Sequence, residues 1–240
     1  MRALRNRGSG PLLIQIVAVA DFTAIVGGDG GLGVIVENWS GATLALVLGY
    51  LVGSIPFGVL LTRAAGGGDL RTIGSGNIGA TNVLRTGRKG LALLTLLLDG
   101  GKGAVAVLVA GAYAPDLAAP AAIAAFLGHL YPIWLRFRGG KGVATLLGIT
   151  LAMLWPAGIA FMIVWAAGAL ITRYSSVAGM AGAVAAPVAA ALVGEFGLVL
   201  LFLAFAFLVL WRHRANLERL LMGTEPQIGS GGSDGGSAIG

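Results

Sequence analysis

Two short polar stretches interrupt an otherwise apolar chain, and both carry side chains suited to holding an anion. The first, GSGNIGATNVLR at residues 74–85, offers Ser75, Asn77, Thr81 and Asn82 as hydrogen-bonding groups. Gly76 and its fellow glycines permit tight backbone approach and exposed N–H groups. Arg85 ends the stretch with a planar fork of donors that matches phosphate or carboxylate oxygens. In the second, GGKG at 139–142, Gly139, Gly140 and Gly142 surround Lys141 directly before an apolar segment. Backbone N–H groups, a helix N-terminus and an ammonium are expected to converge there on one anion. Neither stretch is a Walker loop, since GxxxxGK[ST] is missing. A plainer reading stays open for each: a conformationally demanding loop for the first, a basic turn that only sets topology for the second.

Smaller groups add to these. Arg173, Ser175 and Ser176 sit together in RYSS, and His213 and Asn216 are three residues apart, the spacing of one helix face. That pair supplies a group able to handle protons near neutrality and a group able to orient a substrate. Asp99 and Lys102, three apart inside an apolar run, read first as a structural ion pair and second as support for substrate binding. His129 near the end of another apolar run reads as a packed or interfacial histidine. The sequence has no cysteine and two histidines, which removes thiolate chemistry, disulfides and an obvious histidine metal cluster. No paired carboxylates for two-metal phosphotransfer and no HExxH motif stand out either, so no cofactor and no metal are expected. Acyl transfer to a small phosphate-bearing acceptor fits this inventory without a metal.

The elements that must position these groups are membrane helices. Of 240 residues, 57% are hydrophobic and 11% charged, against about 25% charged in a soluble domain. The net charge of +6 gathers at the ends of apolar stretches, which favours orientation in a bilayer over nucleic-acid binding. About 20 apolar residues cross the hydrocarbon core. Candidate crossings are 42–61, 90–112, 117–135, 142–155, 156–172, 177–193 and 196–211, an all-α, polytopic seven-span transmembrane helical bundle. The division at Trp155–Pro156 rests on the proline and on the excess length of 142–172. Basic residues fall in alternate connections, including Arg63 to Lys89, Arg136 to Lys141, Arg173, and Arg212 to Arg219. The polar motifs and the C-terminus are therefore expected on the cytoplasmic side. Residues 1–40 read as an accessory extension, an additional N-terminal span interrupted by Asp21, or a processed leader. The membrane domain is assigned to 41–222, and 223–240, rich in Gly and Ser, to a flexible tail.

Five segments in order make the chain resemble the bacterial acyl-phosphate-dependent glycerol-3-phosphate acyltransferases, over about residues 42–225. They are GSIPFG at 53–58, GSGNIGATNVLR, GHLYPIWLRFRGGKGVAT at 128–145, RYSS at 173–176 and RHRANLERLLMGTE at 212–225. The resemblance implies transfer of a fatty acyl group from acyl phosphate to the 1-position hydroxyl of sn-glycerol 3-phosphate, in phospholipid biosynthesis at the bacterial cell inner membrane. Partners are then those two substrates and membrane lipids, with no obligate protein partner. Carried over, Ser75, Arg85, Lys141, Ser176, His213 and Asn216 form the catalytic group. Gly76, Asn77, Thr81, Asn82, Gly139, Gly140 and Gly142 serve substrate binding. A substrate-assisted reaction without an acyl-serine intermediate is the family expectation. The main alternative from the residues is a transporter of a small anionic solute, since Asp99 and Lys102 can also line a translocation path.

Overall fold

A computed structural model describes residues 31–73 and 75–229. Residues 1–30, on which most of the alternatives for the N-terminal segment rest, lie outside that range. Among the described residues every regular element is helical. Chain packing divides at Gly41/Ala42, and the polar motifs all belong to the body that begins at Ala42.

The principal helices are α1 (Gly31–Gly53), α2 (Phe57–Ala64), α3 (Ala80–Arg85), α4 (Lys89–Tyr113) and α5 (Ala118–Leu130). Beyond them come α6 (Val143–Met153), α7 (Trp155–Thr172), α8 (Ser175–Leu192), α9 (Phe196–Arg212) and α10 (Arg214–Leu221). Five stretches are long and apolar enough to cross a membrane, and α9 joined to α10 across a 55° bend makes a sixth. The seven apolar segments of the sequence are thus all helical, but they do not all have the length of a crossing. The exception is α6, at 11 residues; at about 1.5 Å per residue it spans roughly half of a 30 Å core. The split before α7 falls where Pro156 stands in the first turn of that helix, a position that needs no N–H partner.

The helices expose leucine, isoleucine and valine outward, as with Leu48, Leu97, Val109, Ile163, Leu170 and Leu200. In lipid such faces carry no penalty, so cohesion must come from close packing. Glycines provide it: a Cβ on Gly53 would come within 2.0 Å of the Ala125 carbonyl oxygen, and one on Gly148 within 1.9 Å of that of Gly100. These contacts draw α1 onto α5 and α6 onto α4. The central core joins Phe126, Leu130, Leu146, Ile149, Phe161, Phe202 and Phe205. The rings of Phe126 and Phe205 tilt against each other at 4.8 Å.

The first span is broken rather than continuous, and GSIPFG is the break. Pro56 cannot donate to the helix ladder, and the chain leaves α1 at Ser54. Side chains satisfy the freed carbonyls: the Trp134 indole N–H donates to Ser54 O at 3.0 Å, and Lys102 Nζ donates to Ile55 O at 2.7 Å. A break in a membrane helix is tolerated where such partners exist.

Candidate active site

A polar cavity opens among α3, α4, the α5–α6 connection, α8 and α10. Its upper wall is the loop at 75–85. Asn82, almost wholly buried, turns that loop around itself. Its amide donates to Leu70 O at 3.0 Å and Ile73 O at 2.9 Å, and its side-chain oxygen accepts the Ser75 N–H at 3.1 Å. Ile78 packs with Val59 and Leu135, while Leu70, Val83 and Ala92 hold α3 against α4. The result leaves Ser75, Asn77, Thr81 and Arg85 on the cavity wall. Gly76 is not on that wall; it takes φ +68° and its N–H is bonded to Ile73 O at 3.0 Å, a turn residue with no free donor.

The opposite wall is the 139–142 turn, which departs from the expected anion cradle. Gly139 N–H donates to Leu130 O and Gly140 N–H to His129 O, each at 3.1 Å, so neither donor faces the cavity. Their carbonyls accept from Arg212, at 2.9 Å for Gly139 and 3.1 Å for Gly140, and the Arg212 guanidinium stacks on Tyr131. Only the end of the motif lines the cavity: Lys141, Gly142, and then Val143 and Ala144 in the first turn of α6. Gly142 has φ +86°, and a Cβ there would come within 2.4 Å of the Phe126 ring. The turn into α6 thus requires glycine on two counts. The α6 N-terminus, with its first N–H groups unpaired within the helix, points its positive dipole end into the cavity.

Lys141 is held by a chain of buried partners. Its ammonium donates to Asn216 Oδ1 at 2.5 Å, Asn216 Nδ2 donates to Glu225 Oε1 at 2.6 Å, and Ser176 Oγ donates to the same oxygen at 2.8 Å. Arg219 Nε donates to the other Glu225 oxygen at 2.8 Å. Glu225 escapes a reading of the sequence, because it lies in the stretch from 223 onward whose composition marks a tail. Its position at the end of RHRANLERLLMGTE is the available signal. His213 donates through Nδ1 to Val209 O at 2.8 Å, since a carbonyl only accepts. Its Nε2 is then the ring nitrogen left for a ligand.

Charge in the cavity is dominated by cations. Burial pushes the Lys141 ammonium down to about 8; Glu225 opposes the shift, and Arg219, Arg85 and Arg212 add to it. Burial also lowers Arg85, which keeps its proton at any working pH. Burial acts to raise Glu225, but hydrogen bonds from Asn216, Ser176 and Arg219 together with the Arg219 charge outweigh it and hold the carboxyl below its ordinary value.

Of the residues singled out in the sequence, Ser75, Asn77, Thr81, Asn82, Arg85, Lys141, Gly142, Ser176, His213 and Asn216 line this one cavity, and Gly76, Gly139 and Gly140 stand behind it. Asp99 and Lys102 form the expected buried ion pair at 2.7 Å, yet Asp99 and His129 also reach the cavity. Among the described residues no group of three or more His, Cys, Asp or Glu is placed to hold a metal ion.

A helical, multi-pass membrane protein with a cationic cleft built from four separated polar segments is the class that fold and cavity define. The glycerol-3-phosphate acyltransferase family model matches residues 43–223, and the chain belongs to that family. A glycerol-3-phosphate acyltransferase from Mesorhizobium japonicum is 56% identical over 192 residues, 80% of this chain and 98% of the relative. One from Brucella anthropi is 54% identical over 188 residues, 78% of this chain and 94% of the relative. A crystal structure of PlsY (YgiH), an integral membrane glycerol 3-phosphate acyltransferase, in its glycerol 3-phosphate form superposes with a TM-score of 0.75 at 35% identity, covering 79% of this chain and 96% of that one. Its lysophosphatidic acid form gives 0.73 at 33% identity, with the same coverage.

Proposed function

We propose that the chain transfers a fatty acyl group from acyl phosphate to the 1-hydroxyl of sn-glycerol 3-phosphate, yielding 1-acylglycerol 3-phosphate and inorganic phosphate. The observation that carries this reading is the convergence of Arg85, Lys141, His213 and the α6 N-terminus on one cavity. Both substrates are phosphate-bearing, and such an array suits them. In the reaction the 1-hydroxyl oxygen attacks the acyl carbonyl carbon and the carbonyl-to-phosphate C–O bond breaks. The hydroxyl proton goes to a phosphate oxygen, so neither a protein base nor an acyl-serine is needed. Lys141 and Arg85 neutralise charge on the substrate phosphates, the acceptor's as well as the departing one, Ser75 orients them by a hydrogen bond, Ser176 steadies the Glu225–Asn216 chain behind Lys141, and His213 Nε2 and Asn216 complete their surroundings.

The same reading takes all seven apolar segments as crossings of the bacterial inner membrane, α6 being a short one, with the cavity and C-terminus facing the cytoplasm. The alternate distribution of basic loops supports that orientation. No metal, cofactor or obligate protein partner enters it. The test is product detection with purified protein in detergent or reconstituted lipid, given sn-glycerol 3-phosphate with acyl phosphate, acyl-CoA or acyl carrier protein in parallel. 1-Acylglycerol 3-phosphate and phosphate are expected only with the first donor. Selective turnover of acyl-CoA rejects the donor class, and uptake of solute into vesicles without acylated product rejects the enzyme.

A further inference from the structure

Beyond the cavity that holds Lys141 lies a second one, about 910 Å³ against about 90 Å³, and the two share Ser75, Thr81, Arg85 and Ser175. A ligand that enters the inner cavity from this side passes through the outer one. One wall of the outer cavity is the start of α4, with Gly87 and Lys89; another is the chain after α10, from Thr224 to Gly229. That chain is fixed at two points. Glu225 is bonded by Ser176, Asn216 and Arg219, and the Ile228 N–H donates to Arg173 O at 2.7 Å.

Three cations and no carboxylate line the outer cavity. Arg219 spends only its Nε on Glu225, and the side chains of Arg85 and Lys89 have no ion pair or hydrogen bond among the described residues. Lys89 also stands where a helix tolerates it least. With Arg88 before it, it opens α4 at the positive end of the helix dipole, and the first turn holds no acidic residue to offset the two charges. Membrane topology does not require a lysine at this point, because Arg63, Arg71 and Arg88 already charge the same connection. Uncompensated cations around a cleft focus their field on an incoming anion.

We propose that the outer cavity is a capture site for the phosphate of the acceptor, an inference that rests on sn-glycerol 3-phosphate being that acceptor. Lys89 and Arg219 take up the phosphate first, and Arg85, common to both cavities, draws it inward to Lys141. The acceptor is a phosphate monoester that arrives from water. An acyl phosphate carries a chain that keeps it with the bilayer, so the outer site serves the acceptor and not the donor. No bond is made or broken there; Lys89 acts on the encounter and the affinity.

Lys89 is exposed, so it can be replaced without disturbing the core. The experiment measures KM for sn-glycerol 3-phosphate and for acyl phosphate separately, in the parent, Lys89→Gln and Lys89→Glu, at low and high salt. At about 0.02 M salt, KM for sn-glycerol 3-phosphate should rise about threefold in Lys89→Gln and about tenfold in Lys89→Glu, while KM for the donor holds. At about 0.5 M salt, where charges are screened beyond about 4 Å, both rises should shrink to under about twofold. The chain has no cysteine, so Lys89→Cys can be modified at that one position. A cationic aminoethyl group there should restore the parental KM, and an anionic sulfonatoethyl group should reproduce Lys89→Glu. A rise that is equal at both salts, or that the cationic group does not reverse, is structural and overturns the proposal. So does an unchanged KM in Lys89→Glu at low salt, or a change that falls on the donor. Absence of acylation by the parent with any donor defeats the proposed function instead. Equilibrium binding of sn-glycerol 3-phosphate at low salt then decides on the capture site alone: equal affinity of the parent and Lys89→Glu overturns it, and weaker binding by the variant upholds it.

Discussion

The 74–85 loop and the 139–142 turn look alike in sequence, each a run of glycines with one cation, yet they are held in opposite ways. The first is clamped from within: Asn82 ties down Leu70, Ile73 and Ser75, all at most 12 residues away. The second is clamped from afar. Its carbonyls are taken by Arg212, and its lysine is fixed through Asn216 to Glu225, more than 70 residues along the chain. Gly76 in the first and Gly139 and Gly140 in the second stay off the cavity wall, which Gly79 and Gly142 reach. They make room for turns and packing, while the side chains at the ends of each motif carry the charge. A glycine-rich polar loop is thus weak evidence for a backbone anion nest, because buried N–H groups find protein acceptors first.

The contrast can be broken from either end. Asn82→Ala removes a buried donor pair and an acceptor; the Ser75 N–H loses its partner, while Leu70 O and Ile73 O each lose one of two donors and keep the backbone N–H of Ile73 and Gly76. At about 1–3 kcal/mol for the stranded N–H and about 0.5–1.5 kcal/mol for each of the two other lost bonds, the loss should be about 3 kcal/mol. The melting temperature in detergent should fall by about 6–12 °C. A melting curve within about 2 °C of the parent would show that the loop holds its shape without its internal clamp. Glu225→Gln keeps the size but loses the charge opposite Arg219 and presents an amide to the Asn216 donor. The expected cost is about 2 kcal/mol, read as a melting shift of about 4–8 °C. Because the clamp acts at a distance, KM for sn-glycerol 3-phosphate should rise as well, as Lys141 loses its anchor. An unchanged KM in the folded variant would show that the turn positions its lysine unaided.

Lys141→Ala leaves both clamps largely in place and removes the charge. It should lower kcat/KM for acylation by at least about tenfold, or about 1.4 kcal/mol of transition-state stabilisation. Steady-state rates over ranges of both substrates, at matched amounts of folded protein, give the answer. Parental turnover would mean that Arg85 and the α6 N-terminus suffice, and that Lys141 serves only as a link between the turn and α10.

How much is legible in the sequence divides along the same line. Helical segments are readable because hydropathy reports burial in lipid directly, and charged side chains of the cavity are readable because an apolar chain has few reasons to keep them. Ser75, Arg85, Lys141, Ser176, His213 and Asn216 share a cavity although they come from four separate stretches. What escapes is relational. The roles of Gly139 and Gly140 depend on Arg212, which no local pattern announces. Glu225 is hidden by the Gly- and Ser-rich composition after it, although Ser176, Asn216 and Arg219 all bond to it. Asp99 reads as the partner of Lys102, which it is, but three-residue spacing on a helix says nothing of what lies above the pair. The shortness of α6 is legible in part, since Pro156 already cuts the run to 142–155; what composition does not announce is that the helix itself stops at Met153.

The gentlest test leaves the sequence of both loops intact and varies only pH. Lys141 holds its proton with a pKa of about 8, lowered mainly by burial. The cationic form is the one that attracts phosphate, so the competent fraction falls as pH rises through that value, from nearly full at neutrality to about a tenth one unit above it. KM for sn-glycerol 3-phosphate should therefore climb by about tenfold between pH 7 and 9, worth about 1.4 kcal/mol. The acceptor phosphate is already a dianion across most of that window, so its own titration opposes rather than mimics the trend. Lys141→Arg supplies the control, because a guanidinium keeps its charge throughout. Its KM starts higher, the fork being a poorer fit to the Asn216 oxygen, but should stay flat. A parent and a Lys141→Arg variant with the same upward slope would place the titrating group elsewhere and remove Lys141 from the phosphate contact.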